Sequence, residues 1–219
     1  MRPVIKYAFS AIFAFGVSYV IGTEYLKSQV REGEANGKQI EEAILAQREW
    51  NTANAKSLKT KAKIVSILSG FKRTMHHDPV LMADLIIRKS AQHKLDPFLV
   101  LGMIKTESDF NSMAVSNKGA MGLMQIQPTT ALHLAPYGNF GSEKSERLRL
   151  DNELNISLGT MYISKLLHRF GKLELALEAY NRGPEGLHRD IAEGDYNGSY
   201  YAGKVIHHYR QYKFGTYPS

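Results

Sequence analysis

Residues 107–125 read ESDFNSMAVSNKGAMGLMQ and follow closely on the apolar segment Phe98–Ile104. The apolar segment is typical of a buried helix, and the polar and glycine residues after Glu107 are typical of a loop. A carboxyl group at such a junction suits acid catalysis, because apolar surroundings penalise its charged form and raise its pKa. A solvent-facing glutamate at a helix end is the alternative, and position alone leaves both open.

Two Asp-Pro pairs, Asp78-Pro79 and Asp96-Pro97, predict helix starts, because aspartate caps a first turn and proline fits its first position. The second pair begins the segment that carries Glu107. Apolar residues at helical spacing also predict helices over residues 61–68, 154–170, 173–180 and 200–212. Since no run of alternating β-branched residues predicts a strand, the expected fold class is all-α.

The chain has 219 residues, a formal net charge of +7 and a pI of about 9.4. Its basic residues are spread along the sequence without a nucleic-acid-binding motif, so we predict a solvated basic surface and no nucleic acid partner. The sequence has no cysteine, which excludes disulfides, cysteine catalysis and thiolate metal sites.

The first 22 residues have the pattern of an export signal, with Arg2 and Lys6 before an uncharged apolar stretch over residues 7–22. As a helix this stretch would span about 24 Å, short of the roughly 30 Å hydrocarbon core. A cleaved signal peptide, an uncleaved anchor that extends to Leu26 and a buried helix all stay open. We expect export to the periplasm or cell envelope, with anchoring in the inner membrane if the segment is uncleaved.

Residues 23–56 are polar and mixed in charge, and their apolar positions are sparse. Ile40 and Ile44 have helical spacing, which indicates a helical spacer or stalk between the membrane and a domain over residues 57–219. Whether this spacer also binds a partner in a cell-envelope assembly stays open.

Four patches of sequence carry a family resemblance in their order and spacing. They are Glu107–Asn111, Ser116–Gln125, Asn155–Tyr162 and Ala179–Gly183. Together they resemble the catalytic domain of the SLT-type lytic transglycosylases over residues 80–210. The resemblance implies a lysozyme-like helical fold and cleavage of the β-1,4 bond between N-acetylmuramic acid and N-acetylglucosamine in peptidoglycan.

The same resemblance implies a single catalytic residue, Glu107, which protonates the leaving oxygen. It then acts as a base on the C6 hydroxyl of muramic acid, so that a 1,6-anhydro ring closes instead of water entering. It also implies substrate-binding positions at Ser116, Gln125, Gln127, Tyr180, Asn181 and Tyr201. No metal or cofactor is expected.

The residues themselves agree with a single acid. Asp109 is two positions after Glu107, roughly 200° around a helix, and the next acidic residue is Glu143. An intramolecular attack needs no second carboxylate, because the substrate supplies its own nucleophile at high effective concentration. We expect the Glu107 pKa to be raised toward ~6–7, as for other buried glycosidase acids. The adjacent histidines His76-His77 and His207-His208 are predicted to be solvated rather than metal ligands.

Two other functions stay open at this point. A hydrolase like goose-type lysozyme would use the same glutamate but admit water. A wall-binding or scaffold protein would bind glycan in the cleft without cutting it, although such a protein would be expected to lose the acid.

Overall fold

A computed structural model describes residues 37–134, 145–194, 196 and 200–215 of the chain. The chain divides into two compact units, Met1–Leu58 and Lys59–Ser219. Helix α1, Gly37–Ser69, supplies the described residues of the first unit and continues into the second. No helix within the described ranges is long and apolar enough to cross a membrane. The signal or anchor predicted at residues 1–22 lies outside those ranges, as does part of the predicted spacer.

The all-α prediction is confirmed for the part of the chain that the structure describes, where extended pairing is limited to isolated bridges that join Met121 to Val115 and to Ile126. The second unit contains, after α1, helices α2 (Lys72–Met75), α3 (Pro79–Gln92), α4 (Pro97–Ser108), α5 (Pro128–Leu134), α6 (Arg147–Leu150), α7 (Asn152–Phe170), α8 (Leu173–Arg182), α9 (Pro184–Glu193) and α10 (Tyr200–Phe214).

Both Asp-Pro pairs start helices, as predicted. The Asp78 carboxylate accepts the backbone N–H groups of Val80 and Leu81 at 2.8 and 3.1 Å. The Asp96 carboxylate accepts that of Phe98 at 2.9 Å. These bonds satisfy N–H groups that have no acceptor within the first turn.

Helix α9 was not predicted from the sequence. Gly183 and Pro184 interrupt the helical pattern, so the sequence predicts only that the preceding helix ends near them. In the structure Gly183 has a φ of 84° and ends α8, while Pro184 occupies the first turn of α9. Proline suits that position because its missing N–H would have had no partner in any case.

Helix α4 lies in the core of the second unit, and its residues Phe98–Ile104 are all buried. Helix α10 packs along it in the antiparallel direction. Lys213, at the far end of α10, donates to the Asp96 carboxylate at 2.5 Å. Tyr201, near the start of α10, donates to the Glu107 carboxylate at the end of α4. A side-chain hydrogen bond therefore joins the two helices at each end.

Gly102 sets the spacing between α4 and α10. A Cβ atom at this position would lie 2.8 Å from the Val205 carbonyl oxygen and 2.9 Å from the Tyr209 backbone nitrogen. We expect Gly102→Ala to lower the free energy of unfolding by about 1–3 kcal/mol, because backbone on both helices must move. Urea unfolding measures the change.

Gly203→Ala is the matched control, since Gly203 lies in the same helix pair and a Cβ there meets no atom within 4 Å. This variant should gain about 0.5–1 kcal/mol from its higher helix propensity. Equal effects at both positions would contradict the close approach at Gly102.

Candidate active site

The loop after α4 is held in shape by its own backbone. Asp109 and Phe110 have φ values of 51° and 59°, which turn the chain sharply away from the helix axis. Gly122 then donates to the Ala114 carbonyl at 2.9 Å, and Met121 and Ile126 exchange two hydrogen bonds of 3.0 Å. The loop thus folds back on itself and brings its later residues beside the end of α4.

Asn155 anchors this loop to helix α7. Its side chain is fully buried. The Asn155 Oδ1 accepts the Met124 N–H at 2.8 Å, and Nδ2 donates to the Met121 and Leu148 carbonyls, each at 2.8 Å. This one side chain therefore satisfies three backbone groups at once.

Glu107 is half-buried at the end of α4 and faces a cleft. Burial raises its pKa from the ordinary 4.5 to about 7, against the hydrogen bond from the Tyr201 hydroxyl to its Oε1, which lowers it. Burial also raises the pKa of Tyr201 well above 10.0, so that this phenol stays a donor at neutral pH. The raised pKa agrees with the value expected from the sequence.

The cleft has a volume of about 730 Å³. Glu107 is the only carboxylate that lines it among the residues that the structure describes. Asp109 has a side chain that is 70% exposed and pairs with Lys105. Within the same described ranges, no group of three or more histidine and acidic side chains is placed to hold a metal ion.

The structure brings together most of the predicted substrate-binding residues. Ser116, Gln125, Gln127, Tyr180 and Asn181 line the cleft with Glu107. Tyr201 is not a lining residue, and it reaches the site through its hydrogen bond to the acid. Their roles toward substrate stay predictions.

The side-chain amide of Gln125 is partly engaged within the loop. Its Nε2 donates to the Gly122 and Ala114 carbonyls at 2.9 and 3.2 Å, so the amide nitrogen holds the loop together. Only Oε1 then remains to contact a ligand. The residue has a φ of 47°, an uncommon conformation for a side chain other than glycine, and such conformations are concentrated at functional sites.

Ser116 also has a structural task. Its Oγ accepts the N–H groups of Ala120 and Lys118 at 3.0 and 3.3 Å. The hydroxyl proton stays available to a ligand in the cleft, because both bonds use the oxygen as an acceptor.

Tyr180 and Tyr162 form an aromatic pair at the wall of the cleft, with ring centroids 5.2 Å apart. The Tyr180 hydroxyl donates to the Met124 carbonyl at 2.8 Å and so leaves only its acceptor capacity for a ligand. Tyr162 also lines the cleft, although it is not among the residues predicted to bind substrate. Its helical spacing on an apolar face concealed this exposure.

Sequence reasoning also missed Glu178, whose side chain is 1% exposed. It lies in α8 among the consecutive buried residues Ala176–Tyr180. A charged residue inside an apolar helical run, with an arginine four positions later, was the signal that could have found it.

The raised pKa of Glu107 predicts a pH-dependent cost to stability. The folded state binds the proton more tightly than the unfolded state, so the cost is absent below pH 4.5 and fully developed above pH 7. Relative to Glu107→Gln, the wild-type protein should lose about 3 kcal/mol of unfolding free energy between pH 4 and pH 8. Urea unfolding of both proteins at the two pH values measures this difference.

The comparison with Glu107→Gln cancels the pH dependence of every other group. Parallel stability curves for the two proteins would show that the Glu107 pKa is the same folded and unfolded. If the wild-type protein instead gained unfolding free energy relative to Glu107→Gln as the pH rises, the Glu107 pKa would be lowered in the folded state.

The family model for the transglycosylase SLT domain matches residues 84–201, more than half of the chain. The chain therefore belongs to this family. A protein of Enterobacteria phage PRD1 named transglycosylase is 39% identical over 94 residues, which is 43% of this chain and 32% of the relative. The soluble lytic murein transglycosylase of Escherichia coli K12 is 33% identical over 107 residues, 48% of this chain and 17% of the relative.

Solved structures share the fold at lower identity. The 70 kDa soluble lytic transglycosylase of Escherichia coli gives a TM-score of 0.53 at 20% identity, over 71% of this chain and 30% of the other. Its complex with bulgecin A gives 0.55 at 19% identity, over 84% and 37%. The chain thus spans about a third or less of the length of the curated relatives named here.

Proposed function

We propose that this protein is a peptidoglycan lytic transglycosylase in which Glu107 is the only catalytic acid and base. One observation carries the proposal: a half-buried carboxyl with a pKa raised to about 7 is the only carboxylate lining the cleft within the described residues. Membership of the transglycosylase SLT family supports the reaction class. The relative named soluble lytic murein transglycosylase supports peptidoglycan as the substrate.

The proposed reaction cleaves the β-1,4 bond between N-acetylmuramic acid and N-acetylglucosamine. Protonated Glu107 gives its proton to the leaving oxygen, and the resulting carboxylate takes the proton of the muramic acid C6 hydroxyl, which closes the 1,6-anhydro ring. A pKa near the working pH suits both steps, because neither the acid form nor the base form is then strongly disfavoured. The Tyr201 hydroxyl donates to Glu107 and can stabilise its carboxylate form between the two steps.

Mass spectrometry of muropeptides released from purified sacculi tests the proposal. We expect terminal 1,6-anhydro-muramic acid, whereas a lysozyme-like hydrolase would give products heavier by one water, ~18 Da. Detection of reducing-end muramic acid alone would replace the proposed reaction with hydrolysis. Binding to sacculi with no released product would make the protein a wall-binding scaffold.

We also propose that the protein acts in the periplasm or at the cell envelope. The basic and apolar residues at the N-terminus support export, and a relative in Haemophilus influenzae is named membrane-bound lytic murein transglycosylase C. It is 37% identical over 109 residues. Fractionation of cells that express the full chain, with immunodetection, separates a membrane-anchored form from a released one.

A further inference from the structure

Glu178 is a carboxylate buried among apolar side chains, outside the cleft. Its side chain is 1% exposed, and its neighbours in the helix, Leu177 and Ala179, are fully buried. A buried charge is costly unless each of its oxygens has a partner. The partners of Glu178 therefore indicate what its burial achieves.

The two carboxylate oxygens of Glu178 join α8 to different parts of the fold. Oε2 accepts two bonds from the Arg182 guanidinium at 2.9 and 3.2 Å. Arg182 in turn donates to Asp190 in α9 at 2.7 Å. Oε1 accepts the backbone N–H of Ala202 at 3.0 Å.

The bond to Ala202 reaches the first turn of α10, which begins at Tyr200. The N–H groups of a first turn have no acceptor within their own helix. A negative charge at this end also interacts favourably with the helix dipole. Glu178 thus acts as an N-terminal cap that comes from another helix.

Ala202 directly follows Tyr201, whose hydroxyl donates to Glu107. We propose that Glu178 is a positioning residue that holds the first turn of α10 where the Tyr201 hydroxyl meets the catalytic acid. This inference rests on the proposed role of Glu107. It concerns the pH at which Glu107 ionises, and not which product the reaction forms.

The pH dependence of the reaction reports on this arrangement. The Tyr201 hydrogen bond lowers the Glu107 pKa, so its loss lets burial raise that pKa further. The groups that face Glu107 are Tyr201 and Tyr180, and both have pKa values raised well above 10.0. The groups that face Glu178 are Arg182, Tyr196 and Tyr201, and Asp190 pairs with the other side of Arg182. The pKa of Arg182 is raised by its bonds to Asp190 and Glu178, so the guanidinium keeps its charge near neutral pH.

The test compares pH–rate profiles of kcat on purified sacculi for Tyr201→Phe, Glu178→Leu and the double variant. The alkaline limb of the profile is the range in which kcat falls as Glu107 loses its proton. Tyr201→Phe should move this limb to higher pH by roughly one unit, because it removes a hydrogen bond to a charged group. Glu178→Leu fills the same volume without an acceptor for Ala202, and should move the limb in the same direction. The double variant should move it no further than Tyr201→Phe, since the hydroxyl is already absent.

Two further variants separate positioning from a general structural role. Glu178→Gln retains a side-chain oxygen for the Ala202 N–H and should restore the wild-type limb. Glu174→Leu changes an exposed carboxylate in the same helix, and should leave the limb in place. If Glu178→Leu does not fold, Glu178→Asp keeps the charge beside Arg182 but withdraws the oxygen from Ala202, and the same upward shift is expected.

A Glu178→Leu or Glu178→Asp protein that folds and keeps the limb at the wild-type pH would overturn the proposal. Shifts that add in the double variant would also overturn it. The Glu107 titration can be followed by ¹³C NMR of its carboxyl carbon, assigned by its absence in Glu107→Gln. This readout needs no activity, so a failure of the proposed reaction would not be confused with a failure of the positioning role.

Discussion

Replacing Glu107 with glutamine should lower kcat on peptidoglycan by a factor of ~10²–10⁴, the range by which a positioned general acid accelerates a reaction. The amide has nearly the same shape and can still accept the Tyr201 hydrogen bond, so the cleft should keep its geometry. It carries no transferable proton, and no other carboxylate lines the cleft among the described residues. Release of anhydro-muropeptides, followed by chromatography and mass spectrometry, measures the loss.

Asp109→Asn is the matched control for this variant. Asp109 is the nearest other carboxylate in sequence, but it is exposed and paired with Lys105. Asparagine also tolerates its φ of 51°. The control should keep wild-type activity. A Glu107→Gln protein with wild-type activity, or an Asp109→Asn protein without activity, would contradict the assignment of Glu107 as the catalytic acid.

The second large effect is expected at Asn155. Asn155→Ala removes the partners of the Met124 N–H and of the Met121 and Leu148 carbonyls, which stay buried. Each buried polar group left without a partner costs about 1–3 kcal/mol. Since water can enter part of the space, we expect a total loss of about 3–5 kcal/mol in unfolding free energy, measured by urea unfolding.

Ser157→Ala is the control variant, because it changes a residue in the same helix and leaves the hydrogen bonds of Asn155 in place. Ser157 is half-buried two residues after Asn155, and its change should stay within about 0.5 kcal/mol. Asn155→Ala should also lower activity, because the loop that carries Gln125 loses its attachment to α7. A small stability change at Asn155 would mean that the loop is held by its own backbone bonds alone.

Much of the fold could be predicted because its signals are local. Asp78 and Asp96 mark helix starts through contacts within three residues of themselves, and the apolar segment Phe98–Ile104 indicates a buried helix by composition alone. The start of α9 escaped prediction for the same reason. The glycine that ends α8 stands directly before the proline that begins α9, so a local pattern predicts a loop.

The candidate site was predictable only in part, because its geometry depends on distant pairings. The Tyr201–Glu107 bond joins residues that are 94 positions apart, and the Glu178–Ala202 bond joins residues that are 24 apart. Gln125 was predicted as a substrate-binding position. That its Nε2 is used within the loop, which leaves Oε1 for the cleft, depends on where the Ala114 carbonyl lies. Helical periodicity carries no information about such contacts.

The antiparallel contact of α10 with α4 has a practical consequence for where the catalytic unit ends. The family match stops at Tyr201, but the helix that carries this tyrosine continues to Phe214. The residues after Tyr201 include Val205 and Tyr209, which meet Gly102, and Lys213, which binds Asp96. A protein truncated after Tyr201 would keep this tyrosine. It would lose the rest of α10, whose contacts with α4 position the tyrosine hydroxyl.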